Sequence, residues 1–171
     1  LMAQVTFAQS DIPRHEMSTG YSFLLPNRDG WIASFSERVN ARIWIKAEAG
    51  GNYRKRDLPD GTHPDFIHSI LAGPEFKLSK GSKLVPWVHI LVGITMNNYA
   101  EQDLGTSSVS VFTSSQKTEV RFGFQPGGGV DYYLTPRLGV RFGADYRRAA
   151  SGYTGNNFFR MQTGVVVRFG R

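Results

Sequence analysis

The chain of 171 residues suits a single domain, and the absence of cysteine excludes a disulfide framework, a thiolate metal site and a cysteine nucleophile. The net charge of +6 is dispersed, since no run of cations exceeds Arg54-Lys55-Arg56, so the charge does not indicate nucleic-acid binding. The mean hydropathy is −0.30, and no segment offers the roughly 20 apolar residues of a spanning helix. Membrane-spanning strands remain compatible with this composition, because only alternate residues of such strands meet lipid.

Alternation of apolar and polar residues with a period of two predicts eight β-strands. In chain order they are predicted at residues 17–23, 31–38, 43–53, 66–77, 84–97, 120–134, 138–147 and 159–169. Helical spacing fits none of the three C-terminal segments, where the alternation is clearest. The sequence therefore predicts an all-β protein.

The predicted connectors differ in length between the two ends of the strands. Short turns rich in Asn, Ser, Gly, Thr and Pro are predicted at 39–42, 78–83 and 134–137. A compact link at 26–30 and longer loops at 54–65, 98–118 and 149–156 join the other ends. This asymmetry, with an even number of strands, is typical of an outer-membrane barrel. We predict an eight-stranded antiparallel up-and-down transmembrane β-barrel over residues 15–171, preceded by a periplasmic N-terminal arm at 1–14 that includes, in one interpretation, the remnant of a signal peptide.

The two faces of the predicted strands differ in polarity. One face carries Gly, Ser and charged residues, which suit the narrow interior of an eight-stranded barrel. The charged residues predicted to form a lumen network are Glu16, Arg38, Lys46, Glu48, Glu75, Arg121, Asp131, Arg141, Asp145, Arg160 and Arg168, with Arg147 on the same face. The opposite face has no Lys or Arg within the strand cores, and aromatic residues near its strand ends predict two girdles. The predicted girdle residues are Tyr21, Trp31, Trp44, Tyr53, Tyr132, Tyr146 and Phe169.

Several stretches carry a resemblance to a known family. These stretches are 127–141 (GGGVDYYLTPRLGVR), 144–146 (ADY), 156–160 (NNFFR), 164–170 (GVVVRFG), 71–76 (LAGPEF) and 86–89 (PWVH). Together they resemble the OmpA-like family of small, porin-like outer-membrane β-barrels over residues 16–171. The resemblance implies integral location in the outer membrane of a Gram-negative envelope and insertion by the barrel assembly machinery. It also implies that Phe169 acts as the assembly signal, although Gly170 and Arg171 follow it.

The predicted lumen contains seven cations and five anions, which have two interpretations. We expect a salt-bridged plug, because an unpaired buried ion costs several kcal/mol. The alternative is a narrow ion-conducting pore.

Two further groups of cations are expected at the ends of the barrel. Residues expected at the long-loop end, where they would contact lipopolysaccharide phosphates, are Arg54, Lys55, Arg56, Arg147 and Arg148. A solvated loop is the alternative for these residues. Residues expected at the short-turn end, near inner-leaflet headgroups or periplasmic partners, are Arg42, Lys77, Lys80, Lys83 and Arg137.

A hydrolase site needs a serine, a histidine and an acid within hydrogen-bonding reach. His68, Ser69 and Glu75 share one predicted strand, and His89 lies on the next. The alternation places His68 outward and Ser69 inward, so we expect no catalysis, with His68 near the membrane interface and His89 in the interior hydrogen bonds. No pattern indicates a metal or another cofactor.

These observations predict a non-enzymatic outer-membrane protein that supports envelope integrity or anchors a partner through its loops. Outer-membrane lipids, lipopolysaccharide and the assembly machinery are the expected partners, and nucleic acid is not. The Ser/Thr/Val alternation at 107–112 suggests that the 98–118 loop extends its hairpin above the membrane and is available to a protein partner. A soluble lipocalin-like ligand-binding barrel is the main alternative function, and the narrow pore is the other.

Overall fold

The computed structural model describes residues 13–58, 61–79, 82–103, 113–151 and 154–170. Its strands are β1 (His15–Leu24), β2 (Arg28–Arg38), β3 (Ile43–Leu58), β4 (Gly61–Lys77), β5 (Leu84–Asp103), β6 (Thr113–Tyr133), β7 (Leu138–Ser151) and β8 (Thr154–Phe169). Each strand pairs antiparallel with the next, and β8 pairs with β1, which closes the barrel. The predicted fold class is confirmed. Residues 1–12, most of the predicted N-terminal arm, lie outside the described residues.

No helix among the described residues is long and apolar enough to cross a membrane.

The two ends of the barrel are built differently. The turn end contains the start of β1, the end of β8, the connectors 39–42 and 134–137, and residues 78–79 and 82–83; the opposite end is the hairpin end. The Asn40 side chain accepts hydrogen bonds from the backbone N–H groups of Arg42 and Ile43 at 2.9 Å. Thr135 Oγ1 likewise accepts from the backbone N–H of Leu138 at 3.0 Å. Such side-chain bonds to the backbone favour turns, which explains why the short turns were predictable.

The connectors at the hairpin end are shorter than the sequence predicts. β3 and β4 stay paired as far as Leu58 and Gly61, and β7 and β8 as far as Ser151 and Thr154. The predicted loops at 54–65 and 149–156 are therefore wrong. Backbone pairing continues in these segments, but apolar and polar residues no longer alternate along them. The sequence pattern therefore gave no indication of a strand there. The 98–118 hairpin does extend, with β5 and β6 paired to Asp103 and Thr113, and its tip at 104–112 lies outside the described residues.

The polarity of the barrel is the reverse of that of a water-soluble barrel. Large apolar side chains from all eight strands are exposed on the outside, and no described outward side chain between the two aromatic girdles is charged. Buried charged and polar side chains fill the inside, including Lys46, Glu75 and Arg160, each with 0% exposure. A barrel with an apolar exterior and a polar interior is the pattern of transmembrane β-barrels.

Trp44 corrects the predicted girdle. Its side chain is 2% exposed and points inward, where its ring lies 5.7 Å from Lys77 Nζ. The aromatic residue type and its place near a strand end suggested lipid contact, but Trp44 shares the parity of Lys46, which faces the lumen. The alternation was therefore the better guide.

Candidate functional site: the barrel lumen and its mouth

The ion pairs nearest the turn end form a compensated cluster. This turn-side lumen group consists of Glu16, Glu75, Lys77, Asp131, Arg141 and Arg168. Lys77 Nζ donates to Glu16 at 2.8 Å and to Asp131 at 2.9 Å, and lies 3.0 Å from Glu75. The Arg141 guanidinium spans Asp131 at 2.7 Å and Glu16 at 2.6 Å. Three cations thus meet three carboxylates, and the buried charges of this group balance.

A second cluster lies further toward the hairpin end and does not balance. This hairpin-side lumen group consists of Lys46, Glu48, Asp145, Arg147 and Arg160, with His89 and Gln125 packed among them. Arg160 Nη2 donates to Glu48 at 2.7 Å and to Asp145 at 2.6 Å. Arg147 donates through Nε to Gln125 at 2.7 Å, but its nearest carboxylate, Glu48, is 3.9 Å away. Three cations here face two carboxylates, and both terminal nitrogens of Arg147 lack a hydrogen-bond partner.

Trp87 lies between the two lumen groups and helps to fill the interior. Its indole Nε1 donates to Asp131 at 3.0 Å, and its ring lies 5.1 Å from Lys46 Nζ and 4.9 Å from the Arg141 guanidinium carbon. A Cβ atom at Gly129 or Gly143 would lie 2.7 or 2.8 Å from this ring. Glycine on the lumen face of β6 and β7 therefore makes room for a large side chain opposite.

The structure places the predicted lumen residues as follows. Nine of them belong to the two lumen groups: Glu16, Lys46, Glu48, Glu75, Asp131, Arg141, Asp145, Arg160 and Arg168. Arg38 does not, because it lies half-buried at the end of β2 and forms no ion pair with another described residue. Arg121 does not either, because it lies near the hairpin end, where its Nε donates to Glu119 at 3.0 Å.

Lys77 is a corrected prediction. Its position near a turn suggested headgroup contact, but its side chain is 3% exposed and lies at the centre of the turn-side group. Lys77 lies two residues after Glu75, which was predicted to face inward. Side chains two residues apart on a strand share a face, so this spacing could have placed Lys77 in the lumen. Arg42, Lys83 and Arg137 are exposed at the turn end, and Lys80 lies outside the described residues.

A cavity of about 560 Å³ opens at the hairpin end, and we call it the mouth cavity. Its lining residues are Arg28, Arg54, Asp65, Ile67, Asn97, Tyr99, Arg121, Asn156, Asn157 and Phe158. Asp65 Oδ2 accepts from Arg28 Nη2 at 2.6 Å and from Arg54 Nη2 at 2.7 Å. The Arg28 guanidinium also lies 5.7 Å from the centre of the Phe158 ring. Arginine and amide groups of this kind are suited to recognising polar, anionic ligands.

The residues predicted to contact lipopolysaccharide are separated by the fold. Lys55 and Arg148 are exposed on the outside, whereas Arg54 turns into the mouth cavity. Arg147 has 0% exposure within the lumen, so its predicted contact with lipopolysaccharide is wrong. The cause is that β7 continues its alternation from Asp145 to Arg147. The Arg56 side chain lies outside the described set.

The candidate hydrolase residues do not form a catalytic arrangement. His68 lies on the outside, 5.0 Å from the Phe66 ring and 5.5 Å from the Tyr53 ring. Ser69 points inward and its Oγ has no hydrogen-bond partner, so no nucleophile–base bond forms between these neighbours. His89 Nε2 lies 2.9 Å from Asp145 Oδ1 within the lumen. Within the described ranges, no group of three or more acidic or histidine side chains is arranged to hold a metal ion.

The end of β8 packs against the start of β1. Phe169 is 39% exposed on the outside, and its ring centre lies 5.6 Å from His15 and 6.4 Å from Phe35. The residue predicted as the assembly signal is thus on the outer, apolar surface of the barrel at the turn end.

No protein-family model matches the chain, and no curated protein matches it. Solved structures match over most of its length. Neisserial surface protein A has a TM-score of 0.65 at 16% identity, over 91% of this chain and 96% of that chain. The outer membrane protein OprG from Pseudomonas aeruginosa has a TM-score of 0.64 at 11% identity, over 94% and 97%. The attachment invasion locus protein Ail of Yersinia pestis, solved with the heparin analogue sucrose octasulfate, has a TM-score of 0.59 at 12% identity, over 91% and 96%.

The similar structures share a fold but not a role. They include the outer membrane enzyme PagL, with a TM-score of 0.51 at 10% identity, over 91% of this chain and 99% of that chain. The chain therefore has the fold of small outer-membrane barrels, as the sequence resemblance predicted. Since one fold hosts unrelated activities, the function has to be argued from the site.

Proposed function

We propose that the protein is a non-enzymatic, integral barrel of the bacterial outer membrane that supports envelope integrity or anchors a partner through its hairpin end. The observation that carries the proposal is the reversed polarity of the barrel, with an apolar exterior band between the aromatic girdles and a buried ionic interior. An apolar band of this size exposed to water would be unfavourable, and lipid is the environment that matches it. In the proposed membrane orientation, the short turns, the start of β1 and the end of β8 lie on the periplasmic side.

Membrane integration is tested by detergent dependence and by heat-modifiable mobility on gels. We expect the folded protein to need detergent or lipid and to migrate differently before and after boiling. A protein that stays dispersed and folded without detergent would instead favour the lipocalin-like alternative.

The lumen is proposed to be plugged rather than conducting. The turn-side and hairpin-side lumen groups cross the interior, and Trp87 fills the space between them. An ion passing through would have to break charge-assisted bonds, which are stronger than neutral hydrogen bonds. In planar bilayers we expect little or no steady conductance, and large, stable single-channel steps would contradict the plug.

Lys55 and Arg148 are the proposed contacts for lipopolysaccharide phosphates. Both are exposed on the outside near the hairpin end, beyond the apolar surface of their strands. We expect K55Q/R148Q to lower the amount of lipopolysaccharide that co-purifies with the barrel. Arg137→Gln is the control, because Arg137 is also exposed but lies at the turn end. Equal retention by the double variant and the control would remove this assignment.

A non-enzymatic role is supported by the opposed directions of His68 and Ser69. The similarity to PagL makes an esterase assay of the pure protein worthwhile. We expect no activity above that of Ser69→Ala, and an activity lost in that variant would overturn this part of the proposal.

A further inference from the structure

The mouth cavity is separate from the charge network that plugs the lumen. It is lined by residues of β2, β3, β4, β5, β6 and β8, and the buried apolar side chain of Ile67 is among them. Its volume of about 560 Å³ falls within the range of small-molecule sites, roughly 300–1,000 Å³. The cavity is therefore large enough for a ligand of sugar size.

The charges of the mouth cavity favour an anion. Arg28, Arg54 and Arg121 line it, and Asp65 is the one acidic residue among the described lining residues. Asp65 is shared by Arg28 and Arg54 through the same oxygen, while Glu119 pairs with Arg121. Among the described residues, three guanidinium groups thus meet two carboxylates, an excess of one positive charge that a bound anion would reduce.

The guanidinium groups also retain hydrogen-bonding capacity. Arg28 is 8% exposed, and its Nε atom has no partner; the Nε atom of Arg54 is also buried without one. A guanidinium carries five N–H donors in a planar fork, and Asp65 engages one terminal nitrogen of each arginine. Phosphate, sulfate and carboxylate groups present the oxygen pairs that match such forks.

The remaining lining residues are suited to hydroxyl groups. Asn97 is buried, and its Oδ1 atom is an acceptor without a partner. Asn156 and Asn157 add exposed amides, and Phe158 provides an aromatic wall beside Arg28. Unpaired acceptors, amide groups and an aromatic surface complement the hydroxyls and C–H groups of a sugar.

We propose that the mouth cavity binds a small, hydroxyl-rich ligand that carries a phosphate, sulfate or carboxylate group, such as a phosphorylated sugar. The anionic group accepts hydrogen bonds from the N–H groups of Arg28 and Arg54 that Asp65 does not engage, and the hydroxyls contact the asparagines. This inference goes beyond the proposed envelope role, because it assigns a ligand class to the hairpin end.

The test is calorimetric titration of the detergent-folded full chain with glucose 6-phosphate, with glucose and inorganic phosphate as comparison ligands. We expect glucose 6-phosphate to bind more tightly than either, and Arg28→Gln to weaken it at least tenfold. Asp65→Asn should act in the opposite direction and tighten binding at least threefold, because it removes the competing carboxylate. Arg137→Gln, at the turn end, should bind as the unchanged protein does. Heat-modifiable mobility identifies which variants are folded.

Three results would overturn the proposal. Glucose 6-phosphate binding that is unchanged by both Arg28→Gln and Arg54→Gln would exclude the arginine site. Equal affinity for glucose would exclude recognition of the charge, and equal affinity for phosphate would exclude recognition of the sugar.

The source of the ligand is distinguished by repeating the titration in phosphatidylcholine vesicles with and without lipopolysaccharide. Loss of glucose 6-phosphate binding when lipopolysaccharide is present supports occupation by the membrane's own phosphorylated sugars. Retained binding supports a ligand from outside the cell.

Discussion

The unequal roles of Arg147 and Arg160 give the sharpest prediction about stability. Both side chains are fully buried in the hairpin-side lumen group. Arg160 bonds to Glu48 and Asp145 at 2.7 and 2.6 Å, whereas Arg147 reaches its nearest carboxylate only at 3.9 Å. We therefore expect Arg147→Met to be tolerated and Arg160→Met to be strongly destabilising, although the two substitutions remove the same side chain.

The expected magnitudes follow from these contacts. Arg160→Met leaves two buried carboxylates without their main partner, and breaking a buried pair in this way costs about 3–5 kcal/mol. Arg147→Met loses the charge-assisted bond to Gln125, worth about 1.5–3 kcal/mol, and at the same time removes a buried cation that the group does not balance. These effects of Arg147→Met oppose each other, so we expect its free energy of unfolding to stay within about 1 kcal/mol of the unchanged protein.

The assay is urea unfolding in phospholipid vesicles, followed by tryptophan fluorescence. Trp44 and Trp87 lie inside the barrel, so unfolding moves both indoles out of the packed lumen. Heat-modifiable mobility confirms that each variant starts folded. If Arg147→Met lowered the stability as much as Arg160→Met, the reasoning from the charge excess would be refuted.

Three further predictions concern the wall of the barrel. Gly143→Val should destabilise the folded barrel by about 1–3 kcal/mol through overpacking, because its Cβ would lie 2.8 Å from the Trp87 ring. Ala144→Val, on the outside, is the control that we expect to be tolerated. Equal urea midpoints for the two variants would contradict the overpacking. Ile90→Arg should lower the free energy of unfolding by about 2–4 kcal/mol if Ile90 lies near the bilayer midplane, whereas Ile90→Val should unfold as the unchanged protein does. A tolerated arginine would contradict contact of Ile90 with lipid. Phe169→Ala should slow insertion by purified assembly machinery but not the folding yield in detergent, and equal insertion rates would exclude its role as a signal.

The strands and the direction of most side chains could be predicted because one face of each strand meets a different environment from the other. A single-residue shift would move every apolar side chain inward, so the alternation specifies direction strongly. The errors at Trp44 and Lys77 arose where residue type or nearness to a turn was preferred to that alternation. In both cases the inward neighbour two residues away, Lys46 or Glu75, carried the correct signal.

The partners within the lumen could not be predicted in the same way. Arg141 and Glu16 are 125 residues apart in sequence and meet at 2.6 Å because β1 closes against β8 and the lumen is narrow. Such contacts depend on the stagger of the closed barrel, which period-two alternation does not specify. The sequence indicated which charges face inward, but not that Arg147 would be the one without a close carboxylate.

The mouth cavity was missed for a different physical reason. Arg28 and Asp65 fall in segments predicted as connectors, at 26–30 and 54–65, where polar residues occupy both faces of the strands. Beyond the apolar band of the exterior, neither face of a strand is apolar, so the alternation that reveals the direction of the side chains disappears. The barrel nevertheless continues, and inward side chains from distant strands converge on Asp65.

The two charge excesses of this barrel have different consequences because of where they lie. The excess positive charge at Arg147 is buried in the lumen, with 0% exposure, so it affects the stability of the folded barrel. The excess at the mouth faces an open cavity, where Arg54 keeps 26% of its side chain exposed and is accessible to a ligand. A plugged lumen therefore does not imply an inert protein, because the charge excess at the hairpin end remains accessible to a ligand.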